Sequence, residues 1–156
     1  PAANIADIKK RLTIQTIGHD KINQLRHVKF FKDLKGVEKH MMKQAALIRP
    51  KFEMVEKMFT EEIASRGIGS WMNPLGGYFI SFEALEGCAK KIVAKCKEAG
   101  VVLTGAGSPY PYKKDPKDSV IRIAPTYPSM DELKEAAKVF TVVVRLVSVD
   151  KLLETK

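Results

Sequence analysis

From Gly36 onward the apolar positions of the chain fall into step. Val37, Met41, Ala45, Ile48, Phe52, Val55, Phe59 and Ile63 recur at intervals of three or four residues, which places their side chains on one stripe of an α-helix. The stripe passes Pro50 without a break. A proline inside a helix removes one hydrogen bond and clashes with the preceding turn, so the pattern predicts one long helix kinked near Ile48. The Met and Phe residues on this stripe read as core packing rather than as a cofactor pocket.

Beyond this helix the period changes. "NPLGGYFISF" supplies turn chemistry and then a β-rich run, predicting a strand over Tyr78 to Phe82, with Gly76 and Gly77 free to turn sharply. "CAKKIVAKCKEAG" sets Ala89, Ile92, Val93, Cys96 and Ala99 on one helical face and ends in Gly100, a C-terminal cap. "VVLT" reads as a short strand, and "SVIRIAP" as another that is closed by Pro125. Ser129 and Glu132 form a capping box ahead of a helix carrying Leu133, Ala136, Ala137, Phe140, Val144 and Val147. The order is helix, strand, helix, strand, strand, helix, which implies an α/β fold with a small mixed sheet packed against helices. Upstream, "NIADIKKRLTIQTIGHDKINQLRHVKFFKD" starts as a helix, is interrupted at "TIQTIG" and has no evident core. Residues 1–32 therefore read as a connecting segment and 33–156 as the domain.

A chain of 156 residues with 45% hydrophobic content can bury a proper core. Its net charge of +9 suggests a polyanion partner until its distribution is considered. Residues 1–60 carry 13 basic and 6 acidic side chains, against 14 and 12 in the remainder. In the basic half Lys29, Lys32, Lys35, Lys39 and Lys43 stand singly, without interleaved base-stacking aromatics. A solvated helix face fits this better than a nucleic-acid surface. Cys88 and Cys96 sit eight residues apart on one expected helix, roughly 12 Å at the helical rise, too far to bond. No signal-peptide pattern and no apolar run near the length of a membrane span is evident, so a soluble, cytoplasmic chain with reduced thiols is expected.

Familiar catalytic constellations are missing. His19, His27 and His40 show no paired helical spacing and no CxxC accompanies them, which argues against a metal site. Ser81 and Ser108 lack a nucleophile-elbow context. The glycines of "GAGSPYPYKKDPKDS" are not followed by G-K-[ST], which argues against a phosphate cradle; loops this long are often functional lids, and the alternating Pro and Tyr would stiffen this one. Arg122 is the exception. Within "SVIRIAP" the strand alternation puts Val120, Arg122 and Ala124 on one face and Ile121 and Ile123 on the other. The guanidinium must then reach solvent, meet a carboxylate of the chain, or receive an anionic ligand. On physical grounds alone the first two are the commoner outcomes.

Taken together, "KINQLRHVKFFKD", "NPLGGYFISF", "GVVLTGAGSPYPY" and "IRIAPTYPSMDEL" resemble the C-terminal small domain of fold-type-I pyridoxal-phosphate aminotransferases. The likeness covers essentially the whole chain. It is nearest to the aspartate aminotransferase subgroup that also resembles the aminotransferase domains of MocR-type regulators. The resemblance implies a homodimeric enzyme moving an amino group between an amino acid and a 2-oxo acid, with aspartate and 2-oxoglutarate as the expected pair. It implies pyridoxal 5'-phosphate held on a lysine of a large domain, to which residues 1–32 would connect. By position, Arg122 matches the arginine that holds the substrate α-carboxylate, and Thr16 lies in a stretch similar to one that approaches the dimer mate's cofactor.

Two departures qualify the likeness. The motif bearing the cofactor lysine is not among these 156 residues, so the resemblance implies no catalytic residue here and a segment silent by itself. Gly105 also stands where the family often has proline. The rival readings are an effector-binding domain of a MocR-type regulator and a basic nucleic-acid binder.

Overall fold

The computed structural model describes residues 1–16 and 20–154. Three helices come first: α1 (Ala2–Gln15), α2 (Lys21–Phe31) and α3 (Leu34–Glu62). The chain then forms β1 (Gly69–Trp71), β2 (Ile80–Ala84), α4 (Ala89–Glu98), β3 (Val120–Ile123) and α5 (Met130–Glu154). The chain divides into two compact units, Pro1–Gln44 and Ala45–Lys156, with the division inside α3.

The N-terminal unit is organised by local rules. Asp20 caps α2 by accepting from the Asn23 N–H at 2.9 Å. Between α2 and α3, Lys32 takes a positive φ of 65° and Asp33 Oδ1 accepts from the Gly36 N–H at 2.8 Å. A Cβ on Gly36 would lie 1.9 Å from the Phe31 carbonyl oxygen, so this tight turn needs glycine. α1 ends at Gln15, inside the "TIQTIG" stretch where a break is expected, and Ile17, Gly18 and His19 lie outside the described residues.

The C-terminal unit holds the core. α3 runs unbroken through Pro50, and of its predicted stripe Val55, Phe59 and the following Ile63 are buried. Phe59 and Phe82 lie 5.4 Å apart between ring centroids, and Phe140 of α5 meets both at 5.4 and 5.1 Å. Such tilted and edge-on contacts add to the burial of large aromatic surfaces. Ile92 and Cys96 of α4 and Val144 and Val147 of α5 complete this core. The Ser129–Glu132 capping box forms as expected, with Ser129 N–H and Oγ each 2.8 Å from Glu132 Oε2. Its serine hydrogen bonds hold the Glu132 carboxyl below the ordinary glutamate range.

The α/β fold class stands, but the sheet differs from expectation in two respects. Its order is β1-β2-β3 and both pairings are antiparallel, so the described sheet is not mixed. The predicted "VVLT" strand does not form. Gly100 N–H donates to Lys97 O and Val101 N–H to Cys96 O, a pair of bonds that closes the C-terminus of α4 and uses the amide a strand would need. In its place β1 forms from Gly69, Ser70 and Trp71, paired with Ala84, Glu83 and Phe82.

Candidate functional site

The site is built on the outer face of this sheet. In β2 and β3 alternate residues turn inward: Ile80, Phe82 and Ala84 from one, Ile121 and Ile123 from the other. The intervening residues Ser81, Glu83, Val120 and Arg122 therefore share the opposite face. Register places Ser81 across from Arg122 and Glu83 across from Val120.

Arg122 is half-buried there, with its guanidinium carbon 4.4 Å from the centre of the Phe79 ring. This is a cation–π contact, which is electrostatically favourable and covers one face of the planar group. Phe79 follows the bend at residues 75–78, in which Gly77 has a φ of 91°. Arg122 Nε is buried without a hydrogen-bond partner, and the guanidinium pairs with no carboxylate among the described residues. Glu83, two positions away on the same face, instead accepts from Ser119 Oγ at 3.5 Å. Of the three fates open to this arginine, an internal ion pair is therefore not realised. A buried donor with no acceptor is costly, and a planar carboxylate is the ligand whose geometry matches the guanidinium edge.

The loop beside the sheet is held by its own carboxylate. Asp115 Oδ2 accepts from the Ser119 and Val120 N–H groups at 2.9 and 2.8 Å, and Oδ1 accepts from Lys117 N–H at 3.0 Å. Desolvation pushes the Asp115 carboxyl up, but the backbone donors of Val120, Ser119, Lys117 and Asp118 together outweigh it and hold the group below the ordinary aspartate range. The converging amides of this loop thus already serve an internal anion. Asp118 carries the loop to α4, its Oδ1 accepting from Lys90 N–H at 3.2 Å.

A family model for aspartate amino-transferase matches residues 1–156. The chain belongs to the aspartate aminotransferase family. A Mycolicibacterium smegmatis relative is 46% identical over 135 residues, covering 86% of this chain and 32% of that protein. The aspartate aminotransferase of Corynebacterium glutamicum is 43% identical over 123 residues, 79% of this chain and 28% of that protein. A crystal structure of an aspartate transaminase from Corynebacterium glutamicum superposes with a TM-score of 0.81 at 39% identity, over 91% of this chain and 34% of that one. The chain thus spans about a third of the length of these relatives and corresponds to a C-terminal region of the family.

Within this family frame, the two residues singled out from sequence fall in different units. Arg122 lies in the C-terminal unit on β3. Thr16 belongs to the N-terminal unit, where it ends α1 with an extended backbone and donates its N–H to Leu12 O at 2.9 Å. His27 and His40 pack with Phe31, and among the described residues no group of three His, Cys, Asp or Glu side chains is placed to hold a metal. No helix among the described residues is long and apolar enough to cross a membrane. Sequence reasoning missed Phe79 as an Arg122 partner, although the "GGYF" run that carries it had been noted.

Proposed function

We propose that this chain is the small-domain part of a pyridoxal-phosphate-dependent aminotransferase acting on aspartate and 2-oxoglutarate, and that Arg122 holds the substrate α-carboxylate. The observation that carries the reading is the buried Nε of Arg122, which has no hydrogen-bond partner among the described residues. Family membership supports the reaction class, and the orphaned donor is one that a substrate carboxylate would satisfy. The cofactor, when bound, supplies an electron sink for the carbanion formed at the substrate Cα.

The chain's own contribution is binding and orientation. Arg122 would grip the carboxylate through two parallel N–H donors, fixing the rotation of the substrate about its Cα and so the direction of the bond to be broken. The sheet behind it is rigid, since Ile121 and Ile123 anchor β3 in the core on either side. The lysine that carries the cofactor is expected in the remainder of a longer, homodimeric protein, with Thr16 directed toward the mate's cofactor. The 156-residue chain alone is accordingly inactive.

The test uses the full-length protein with pyridoxal phosphate. Aspartate should change the visible absorbance of the bound cofactor in the unmodified protein. Arg122→Lys keeps the charge and loses the fork, and should lower kcat/KM by about 10- to 100-fold, as expected for a lost charge-assisted bidentate contact. Unchanged kinetics would overturn the role of Arg122. Effector binding without amino-group transfer would favour the regulator reading instead.

A further inference from the structure

We propose that Phe79 is a positioning residue for Arg122, setting the plane of the guanidinium and thereby the strength and direction of carboxylate binding. The inference rests on the reading of Arg122 given above. Its own basis is the geometry around the arginine. The guanidinium carbon stands 4.4 Å from the Phe79 ring centre, so one π face is covered and approach from that side is blocked. The Nε edge is left without an acceptor. Neither Ser81, directly across in register, nor Glu83, engaged by Ser119, makes a hydrogen bond to the guanidinium that would orient it.

An arginine side chain has several rotatable bonds, and a planar fork recognises a carboxylate only when its edge points correctly. With no hydrogen bond to the guanidinium among the described residues, the ring contact restrains the plane. Phe79 stands just ahead of β2, whose Ile80 is fully buried, and the positive-φ Gly77 lies two residues earlier. The ring is thus delivered by a defined backbone while remaining 43% exposed. Little of the core depends on it, and its replacement is compatible with folding.

The experiment compares Phe79→Leu, Phe79→Met and Phe79→Tyr with Arg122→Lys in the full-length holoenzyme. Three quantities are read: KM and kcat for aspartate, the calorimetric Kd of succinate as an unreactive dicarboxylate probe, and Tm. Losing the aromatic face in the Leu and Met variants should raise KM and the succinate Kd by about 3- to 10-fold, the range of a partly exposed cation–π contact. In both variants Tm should be unchanged and any fall in kcat should be smaller than the rise in KM, because the weakened contact is made on binding as well as during the reaction. The Tyr variant retains a π face and should restore both constants. Unchanged constants in the Leu and Met variants beside a weakened Arg122→Lys would overturn the inference and leave the reading of Arg122 intact. Unchanged constants in Arg122→Lys would overturn that reading and this inference with it. Parallel losses of Tm and kcat, without rescue by Tyr, would assign Phe79 a merely structural role and also overturn it.

Discussion

In the N-terminal unit Leu25 and Phe30 are 55% and 70% exposed, while in the C-terminal unit Phe59 and Phe82 are at 1% or below. Both units are rich in apolar residues at helical spacing, yet no described residue before Val55 is buried. Local features are seen there: Asp20 caps α2, while α1 forms without a side-chain cap. Burial needs a partner element, and in the C-terminal unit the sheet and the helices α4 and α5 provide it. The proposal that the chain is part of a longer aminotransferase accounts for the contrast, since the open apolar faces of α1 and α2 would then be covered by protein outside these residues.

In the 156-residue chain Phe59→Ala should lower the unfolding free energy by about 3–5 kcal/mol through cavity formation. Leu25→Ala, made on an exposed face, should cost less than about 0.5 kcal/mol. Urea denaturation reads both. In the full-length protein the second cost should climb toward the range of about 2–5 kcal/mol for a buried leucine. Equal costs at Leu25 in the two proteins would show that the face stays open.

A smaller effect sharpens what holds the C-terminal unit outside its core. Asp115→Ala strands the Ser119 and Val120 N–H groups beside β3 and should cost about 1–3 kcal/mol. Because the folded Asp115 carboxyl lies below its ordinary value, its contribution is fully present above the unfolded pKa of about 3.9 and is lost as pH falls through the folded pKa. An acid titration of stability should therefore be flatter in Asp115→Ala than in the unmodified chain.

A further effect is alkaline. Burial pushes the Cys96 thiol up to about 11, whereas an unfolded thiol ionises near about 8.5. Cys96 thus contributes stability that is present below the unfolded value and lost as pH rises from there through the folded one. Cys96→Ala should flatten that part of the profile, measured by denaturant midpoint between these pH values.

Much of the helical structure was legible because its causes are local. The capping box at Ser129, the glycine after α4 and the three- and four-residue stripes each act within a turn or two of chain. Strand reading was less secure. "VVLT" has strong β propensity, but the neighbouring helix terminus takes the Val101 N–H. "GSW" has little propensity, but β2 offers it a pairing edge. The inward and outward alternation around Arg122 was readable from a period of two. The absence of a carboxylate partner was not, because that depends on which side chains distant segments deliver to the same face.

By itself, then, the sequence determined the helices α3 to α5, the apolar faces they present, the facing of Arg122 and, through its ordered motifs, the aminotransferase family. The helices, their faces and the facing of Arg122 follow from spacing along the chain, and the family from the resemblance that the motifs carry. Only the tertiary structure decided that the described sheet is antiparallel, that Gly69–Trp71 supplies its third strand, and that the Phe79 ring lies over an arginine whose Nε has no acceptor. Those depend on pairing between residues far apart in sequence, where register and the competition for hydrogen-bond partners are settled by packing rather than by local preference.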